Sequence, residues 1–387
     1  MFGGNTFQKW QDKMTLFYLI RTNALDADER FAKTYQFLQD VGERVQVYGV
    51  VKRHADVDSH FIQKQLHLRN LLGSGQLVAL KYFEMLLFTA IFLLRHRGRR
   101  WFANFDFLPL QLLSTLLSSR HSRPIWDLHE MPPNVAMRNR VIRRIFAYLL
   151  RNSHVIVCNQ ARLEALEESF GVNLSDALIL RNTPSHRAFD QLVASRQSYL
   201  ADVTPEEDLR SIIITGGNVP GRYVQESVEV VKAVRDKTGI NLRVTLVGGS
   251  PLETPYDFVN STGFIPFDEL VRLCVQGGIS LCFYRMNSLN NKLCEPNRFY
   301  QSVVAGQHVI SFDHPSLSDI DYRRHHIASE DAFFSSLESI LTQITTIPTE
   351  RSACLETTNG EMTTMLIFDK QLPSFAAWFP RNASKQL

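Results

Sequence analysis

The stretch Ser288–Ile310, SLNNKLCEPNRFYQSVVAGQHVI, decides how the rest of the chain is read. It passes from a polar loop to a short helix and then to a strand. Pro296 suits the first turn of a helix, where a missing N–H costs nothing. Gly306 suits the C-terminal cap of that helix, and His308–Phe312 is apolar and β-prone, as a buried parallel strand should be. A polar loop feeding a helix N-terminus offers unpaired N–H groups and the positive end of the helix dipole to an anion. Two readings follow: an anion site, or one more loop–helix–strand crossover.

Working outward, the same alternation covers the chain. Towards the N-terminus, a strand at Met14–Arg21, a helix at Asp28–Val41 closed by Gly42 and a strand at Val45–Val51 make a βαβ unit. A strongly apolar helix follows at Gln76–Leu94, then a strand at Trp101–Asn104, a helix at Leu108–Ser118 and a strand at Pro124–Leu128. One long helix is expected over Asn134–Arg151, then strand His154–Cys158, helix Gln160–Phe170 and strand Ala177–Arg181. His186–Leu209 reads as a linker, helical and then acidic. Alternation restarts with strand Ser211–Thr215, a glycine-rich loop, helix Tyr223–Lys237, strand Leu242–Val247, helix Asp268–Val275 and strand Ile279–Tyr284. After the opening stretch come strand His325–Ala328, helix Asp331–Thr345 and a tail helix over Glu361–Phe379 interrupted at Pro373. Strand–helix alternation of this kind means doubly wound parallel sheets. The expected fold class is α/β with two Rossmann-like domains, 1–190 and 191–387.

Bulk properties narrow the function. The 387 residues are 44% hydrophobic and 21% charged, an ordinary globular mixture with sizeable cores. A net charge of +3, without an arginine-rich tract interleaved with aromatics, argues against nucleic acid. Five cysteines, an odd number with no C-x-x-C pair, fit free thiols in a reducing cytosol. The opening MFGGNTFQKWQDK is polar and does not read as a secretory signal. The longest apolar run, Tyr82–Leu94, falls short of the roughly 20 residues a bilayer span needs. A cytoplasmic protein, peripheral at most to the inner face of a membrane, is the expectation.

Four local patterns can carry chemistry. Gly216-Gly217-Asn218-Val219-Pro220-Gly221 followed by Arg222 lies between a strand and a helix. Such a loop serves either as a phosphate cradle or as a tight turn. Arg298, near the N-terminus of the helix that starts at Pro296, can meet a diphosphate or pair with Glu295. His129 and Glu130 end a strand at the carboxyl edge of a sheet, where α/β proteins bind ligands. The alternative is a loop histidine satisfied by backbone. Asn104 and Asp106 follow another strand and can contact an acceptor or form a turn. The arginines of Asn134–Arg151 and the cluster Arg95–Arg100 suit either anionic lipid or a solvated helix face. Adjacent His325 and His326 point to opposite faces, and Asp319-Ile320-Asp321 is isolated, so no metal site is expected.

The opening stretch resembles the donor-site motif of retaining glycosyltransferases of family 4, which have the two-Rossmann-domain architecture called GT-B. The family pattern is Pro-Asn-Lys-x-x-Glu, an apolar stretch, then small-Gly-x-x-Val-Ile. Here it stands as Pro296-Asn297-Arg298-Phe299-Tyr300-Gln301, then Ala305-Gly306 and Val309-Ile310. Arg298 keeps the charge of the family lysine. Gln301 replaces the glutamate that holds the ribose hydroxyls, and the family's other motif glutamate falls on Leu293. Further likeness lies in Asp28-Glu29-Arg30, in Asp127-Leu128-His129-Glu130, and in Leu178–Pro184 at the end of the first domain.

The resemblance implies two domains facing across a cleft and transfer of a sugar, with retention, from a UDP-sugar or GDP-sugar to a glycan or lipid-linked acceptor. The setting it suggests is cell-surface polysaccharide assembly. It implies no cofactor and no metal, the nucleotide-sugar being substrate. It assigns Gly216, Gly217, Arg222, Glu295, Asn297, Arg298 and Gln301 to the donor, His129 and Glu130 to the reacting centre, and Asn104 and Asp106 to the acceptor side. The alternatives are a non-catalytic nucleotide-binding or partner subunit of the same fold, and a nucleotide-sugar epimerase of the same architecture.

Overall fold

The computed structural model describes residues 15–22, 29–51, 78–97, 100–104, 108–118, 123–132, 134–218, 221–249, 252, 255–263, 265, 267–320, 324–346 and 366–379. The chain divides into two units: Met1–Arg181 with Gln371–Leu387, and Asn182–Lys370.

The first unit is built from β1 (Thr15–Thr22), α1 (Glu29–Asp40), β2 (Arg44–Val51), α2 (Val78–Arg95), β3 (Arg100–Asn104), α3 (Leu108–Leu117) and β4 (Ile125–Leu128). It continues with α4 (Asn134–Arg138), α5 (Arg140–Arg151), β5 (His154–Val157), α6 (Gln160–Phe170) and β6 (Leu178–Ile179). Its six strands lie in the order β2-β1-β3-β4-β5-β6, every neighbouring pair parallel. Leu16, Phe17, Tyr18, Leu19 and Ile20 are buried without alternation, because a central parallel strand is covered on both faces.

The second unit comprises α7 (His186–Asp202), α8 (Pro205–Leu209), β7 (Ser211–Thr215), α9 (Val224–Thr238), β8 (Arg243–Val247), β9 (Val259–Ser261), α10 (Phe267–Cys274) and β10 (Ile279–Leu281). Then follow α11 (Leu289–Lys292), α12 (Asn297–Val304), β11 (His308–Phe312), β12 (Arg324–Ile327) and α13 (Phe333–Thr346). The strand order is β12-β11-β10-β7-β8-β9, again parallel throughout. The chain winds outward from β7 through β8 to β9, then returns to β10 and winds the other way. The switch point therefore lies between β7 and β10, and in such sheets ligands bind outside the carboxyl ends at that point. Two apolar layers sandwich the sheet. One is built on Val228, Val231, Phe283, Phe312 and Phe333, the other on Phe299, Tyr300, Val303, Val309 and Ile320.

Several expectations need correction. The arginine-rich segment is two helices: Asn139 breaks it, and its side chain caps α5 by accepting from the N–H groups of Val141 and Ile142. The supposed linker at His186–Leu209 is folded core, since Arg196 donates two hydrogen bonds to Asp208, at 2.8 and 2.7 Å, with both side chains buried. The short strand β9 carries a polar sequence, VNS, with no apolar pattern to announce it. Pro373 does not interrupt a helix. It lies in the first turn of α14 (Leu372–Trp378), where proline is tolerated.

That last helix also changes the domain plan, because it belongs to the first unit rather than to one running from 191 to 387. Phe375 packs against Phe37 with the rings tilted and their centroids 5.4 Å apart, and the Trp378 indole N–H donates to the Asp176 carbonyl at 2.6 Å. The basic cluster is dispersed as well. Arg100 pairs with Glu43 at 2.9 Å, and His96 packs against Phe17 and Phe92. Gly98 and Arg99 lie outside the described residues. Among the described residues, no helix is long and apolar enough to cross a membrane.

The Arg196 guanidinium also donates to the carbonyls of Val275 and Gly277, so one buried cation ties α7, α8 and the approach to β10 together. Removing the partner of a buried ion pair leaves an uncompensated charge, at a cost of about 3–5 kcal/mol. Asp208→Ala is therefore expected to lower the stability of the second unit by that amount, read as a drop in its urea unfolding midpoint.

Candidate functional site

At the carboxyl end of β7 the chain enters Gly216-Gly217, both at positive φ (93° and 70°). The glycines are required by a close backbone approach. A Cβ on Gly217 would lie 2.3 Å from the Gly248 carbonyl oxygen and 2.5 Å from the Gly249 Cα. Two glycine pairs, one after β7 and one after β8, thus pack backbone on backbone. Their N–H groups are not free for a phosphate: Gly216 and Gly217 both donate to the Val247 carbonyl, at 2.8 and 3.2 Å. The expected glycine cradle is in this respect a structural clasp. The donors it exposes come after it, at the start of α9, whose N-cap Tyr223 has no capping side chain and sits in the left-handed region at φ 53°. A bulky residue held there is a strained position of the kind that clusters at ligand clamps.

Arg222 and Arg298 converge on this point. A Cβ on Gly216 would lie 3.1 Å from the Arg222 Cζ and 3.6 Å from an Arg298 Nη. Arg222 donates to the Gly216 carbonyl. Arg298 donates to the carbonyls of Thr215 and Phe283, so it bridges the ends of the two strands that flank the switch point. Both guanidiniums lie over the ring of Tyr284, at 4.3 Å for Arg298 and 5.7 Å for Arg222, a cation–π arrangement. Neither has a carboxylate partner among the described residues. Burial first, and the charge of Arg298 second, push the Arg222 guanidinium below its ordinary value. Two like charges side by side, partly stripped of water, form an electrostatic deficit that an anion relieves.

The helix carrying Arg298 supplies the remaining donor-side residues. Pro296 is the N-cap of α12 rather than its first residue, and it caps nothing with its side chain. Asn297 begins the helix and Gln301 lies one turn further in. Gln301 is 8% exposed, and its side-chain amide has no hydrogen-bond partner among the described residues. Glu295 does not pair with Arg298: its carboxylate accepts from the Asn182 N–H at 3.3 Å. The loop before the helix is tied down from behind. Ser316 Oγ donates to the Cys294 carbonyl at 2.7 Å, and His314 Nδ1 lies 3.3 Å from the Lys292 carbonyl. Gly306, at φ 70°, closes the helix as the sequence suggests.

In the first unit, His129 follows β4, and its Nε2 is 3.5 Å from Asp127 Oδ2. Asp127 in turn accepts from Arg30 Nε and Nη2 at 3.2 and 3.1 Å, and Arg30 Nη1 donates to the carbonyls of Leu180 and Arg181. Burial alone would raise the Asp127 carboxyl; the charges of Arg30 and His129 outweigh it and hold the group below the usual carboxylate range. An ionised carboxylate fixed by a guanidinium therefore faces the imidazole at ion-pair distance. Glu130 is exposed and has no side-chain partner among the described residues. Asn104 is the last residue of β3, and Asp106 lies outside the described residues. So does Asp321, and His325 meets His308 of the neighbouring strand at 3.0 Å, not a metal cluster. Among the described residues, no group of three metal-ligating side chains comes together.

Sequence reasoning missed Tyr284, Asp127 and Arg30 as site residues. Asp127 and His129 are two apart on a strand, so one face presents both, which is a readable signal. Tyr284 had none.

No family model matches the sequence, and no curated protein matches it. The fold does find solved relatives. HepE from Anabaena, in complex with UDP and glucose, superposes with a TM-score of 0.62 at 12% identity, over 94% of this chain and 99% of its own. WaaG, a glycosyltransferase involved in lipopolysaccharide biosynthesis, gives 0.59 at 11% identity over 94% and 95%. The UDP-GlcNAc 2-epimerase of Methanocaldococcus jannaschii gives 0.52 at 10% over 91% and 99%. The chain thus has the GT-B fold of two Rossmann-like domains.

Two outcomes follow. Gly217→Ala forces a Cβ into rigid backbone at a positive φ and should destabilise the second unit by about 1–3 kcal/mol, visible in its urea midpoint. His314 is kept neutral mainly by burial, its pKa depressed below the ordinary value. The unfolded ring takes up a proton first, so this contribution is complete above about pH 6.5, shrinks as pH falls through that value and levels off below the folded pKa. His314→Gln should flatten the loss of urea midpoint between about pH 7.5 and pH 5; an unchanged slope would count against it.

Proposed function

We propose that this protein is a retaining glycosyltransferase that moves a sugar from a nucleoside diphosphate sugar to a glycan or lipid-linked acceptor. The observation that carries the reading is the pair Arg222 and Arg298, set around Tyr284 at the switch point of the second sheet with no carboxylate counter-charge among the described residues. That arrangement suits a diphosphate. HepE, a fold relative, was solved with UDP and with UDP-glucose.

In this reading the bond between the anomeric carbon and the diphosphate oxygen breaks, and its electron pair leaves on the phosphate. The acceptor hydroxyl oxygen bonds to the anomeric carbon on the same face, and its proton passes to the departing phosphate. Arg222, Arg298 and the N-terminal end of α9 stabilise the developing charge, the work otherwise left to a metal. Gln301 meets the ribose hydroxyls as donor and acceptor, more weakly than a carboxylate would. Asn297 and the Gly216-Gly217 turn shape the donor site, and Glu295 holds its rear wall. His129, beside Asp127 and Arg30, and Glu130 address the reacting sugar, with Asn104 and Asp106 assigned to the acceptor side. An acceptor from cell-surface polysaccharide assembly, met by peripheral contact with an anionic membrane, fits the exposed apolar residues Phe83, Leu87, Leu94, Leu116, Val141 and Tyr148 on α2, α3 and α5.

Two other readings have an observation each. Gln301 in place of a carboxylate favours a nucleotide-binding subunit without turnover, and the epimerase among the fold relatives favours isomerisation of the nucleotide-sugar. Calorimetric titration with UDP and GDP, followed by hydrolysis of a nucleotide-sugar panel, separates the three. A transferase binds one nucleotide and slowly hydrolyses its sugar conjugate, a binding subunit stops at binding, and an epimerase changes the sugar without releasing it. Arg222→Gln should weaken nucleotide binding by about 10–100-fold, the worth of one charge-assisted contact. Gln301→Glu should tighten donor binding. Binding of neither nucleotide would sink the transferase reading.

A further inference from the structure

The first unit holds a basic cavity that none of the chemistry above uses. It has a volume of about 480 Å³ and is lined by Arg140, Arg143, Arg144 and Arg151, with Ala147 and Phe170 at its base. The positions 140, 143, 144, 147 and 151 repeat at helical spacing, so one face of α5 delivers all four guanidiniums, and the end of α6 supplies the opposite wall. No acidic residue lies on α5. The side chains of Arg140, Arg143 and Arg144 make no hydrogen bond or ion pair among the described residues. Arg151 is anchored by donating to the Gly171 carbonyl at 2.9 Å, which holds it beside Phe170.

This placement works against the stability of the helix. Like charges three and four residues apart are mutually unfavourable, and Arg140 and Arg143 stand at the N-terminal end of the dipole, where cations are disfavoured. Ordinary solvated helix faces mix both signs; this one does not. The cavity is also far larger than a single phosphate and falls in the range of small-molecule sites.

We propose that this cavity is a second anion site, which takes a ligand bearing two or more phosphate groups. The guanidinium forks engage the phosphate oxygens in bidentate fashion, and Ala147 and Phe170 meet an apolar part of the ligand. The same chemistry is presented by a soluble polyphosphorylated compound and by clustered phospholipid headgroups.

The test uses the full chain at about 0.15 M salt, where weak surface attraction is screened. Tripolyphosphate is titrated calorimetrically into the wild type, into Arg143→Gln/Arg144→Gln, and into a control with equal loss of charge elsewhere, Arg210→Gln/Arg272→Gln. Saturable binding is expected for wild type and control, weakened about a hundredfold in the cavity variant, with thermal unfolding and UDP titration unchanged. Vesicles of phosphatidylcholine with and without phosphatidylglycerol then identify the source. If anionic vesicles bind the wild type, spare the cavity variant and are displaced by tripolyphosphate, the ligand is a headgroup. If they do not bind while tripolyphosphate does, it is soluble. The proposal is overturned if wild type binds neither probe, or if the cavity variant binds tripolyphosphate as tightly as the control, the result expected when only the Arg222 and Arg298 pair takes the probe.

Discussion

Arg298 is the interaction on which the second unit depends. It is a buried cation held by two backbone carbonyls, one at the end of β7 and the other just after β10. Those are the strands that part at the switch point, where no crossover helix joins them directly. A guanidinium there does two things at once. It satisfies carbonyl oxygens at the ends of both strands, and it places a charge with no carboxylate partner among the described residues where the winding of the sheet reverses. Its neighbour Arg222 adds a second charge, and Tyr284 provides the face on which both lie.

The glycine clasp sets the height of that platform. Because Gly217 touches Gly248 and Gly249 with no side chain between them, the loops after β7 and β8 lie close together, and α9 then begins after a left-handed Tyr223. Its ring packs against Phe312 and Phe333, and the Arg285 guanidinium lies over it. Packing of this kind is what can hold a bulky residue in a conformation it otherwise avoids.

Much of this was legible in the sequence. The helical and β periodicities placed nearly every element, and His308–Phe312 is a strand with those bounds. The glycine loop, the two arginines and the Asp-x-His-Glu run were visible as candidates. What was not legible depended on contacts distant in sequence. Asn139 looks like one more polar residue inside a helix until its cap hydrogen bonds are seen. Asp208 looks like part of an acidic linker until Arg196 is found opposite. The N–H groups of Gly216 and Gly217 look available until Val247 is seen to take both. Residues 219, 220 and 106, which carry part of the same arguments, lie outside the described residues.

The return of the C-terminal segment has a consequence for how the molecule can be dissected. Gln371 brackets Arg181, accepting from its N–H at 2.7 Å and donating to its carbonyl at 3.2 Å, and Phe379 lies beneath the Arg100 guanidinium. The polypeptide passes between the units twice, so the first is discontinuous and the second is an insertion within it. A fragment cut after Arg181 would expose Phe37 and leave the Asp176 carbonyl without its indole donor. The second unit, by contrast, is a single continuous stretch, which makes it the natural piece to express alone. The first would have to be rebuilt by splicing its tail back on.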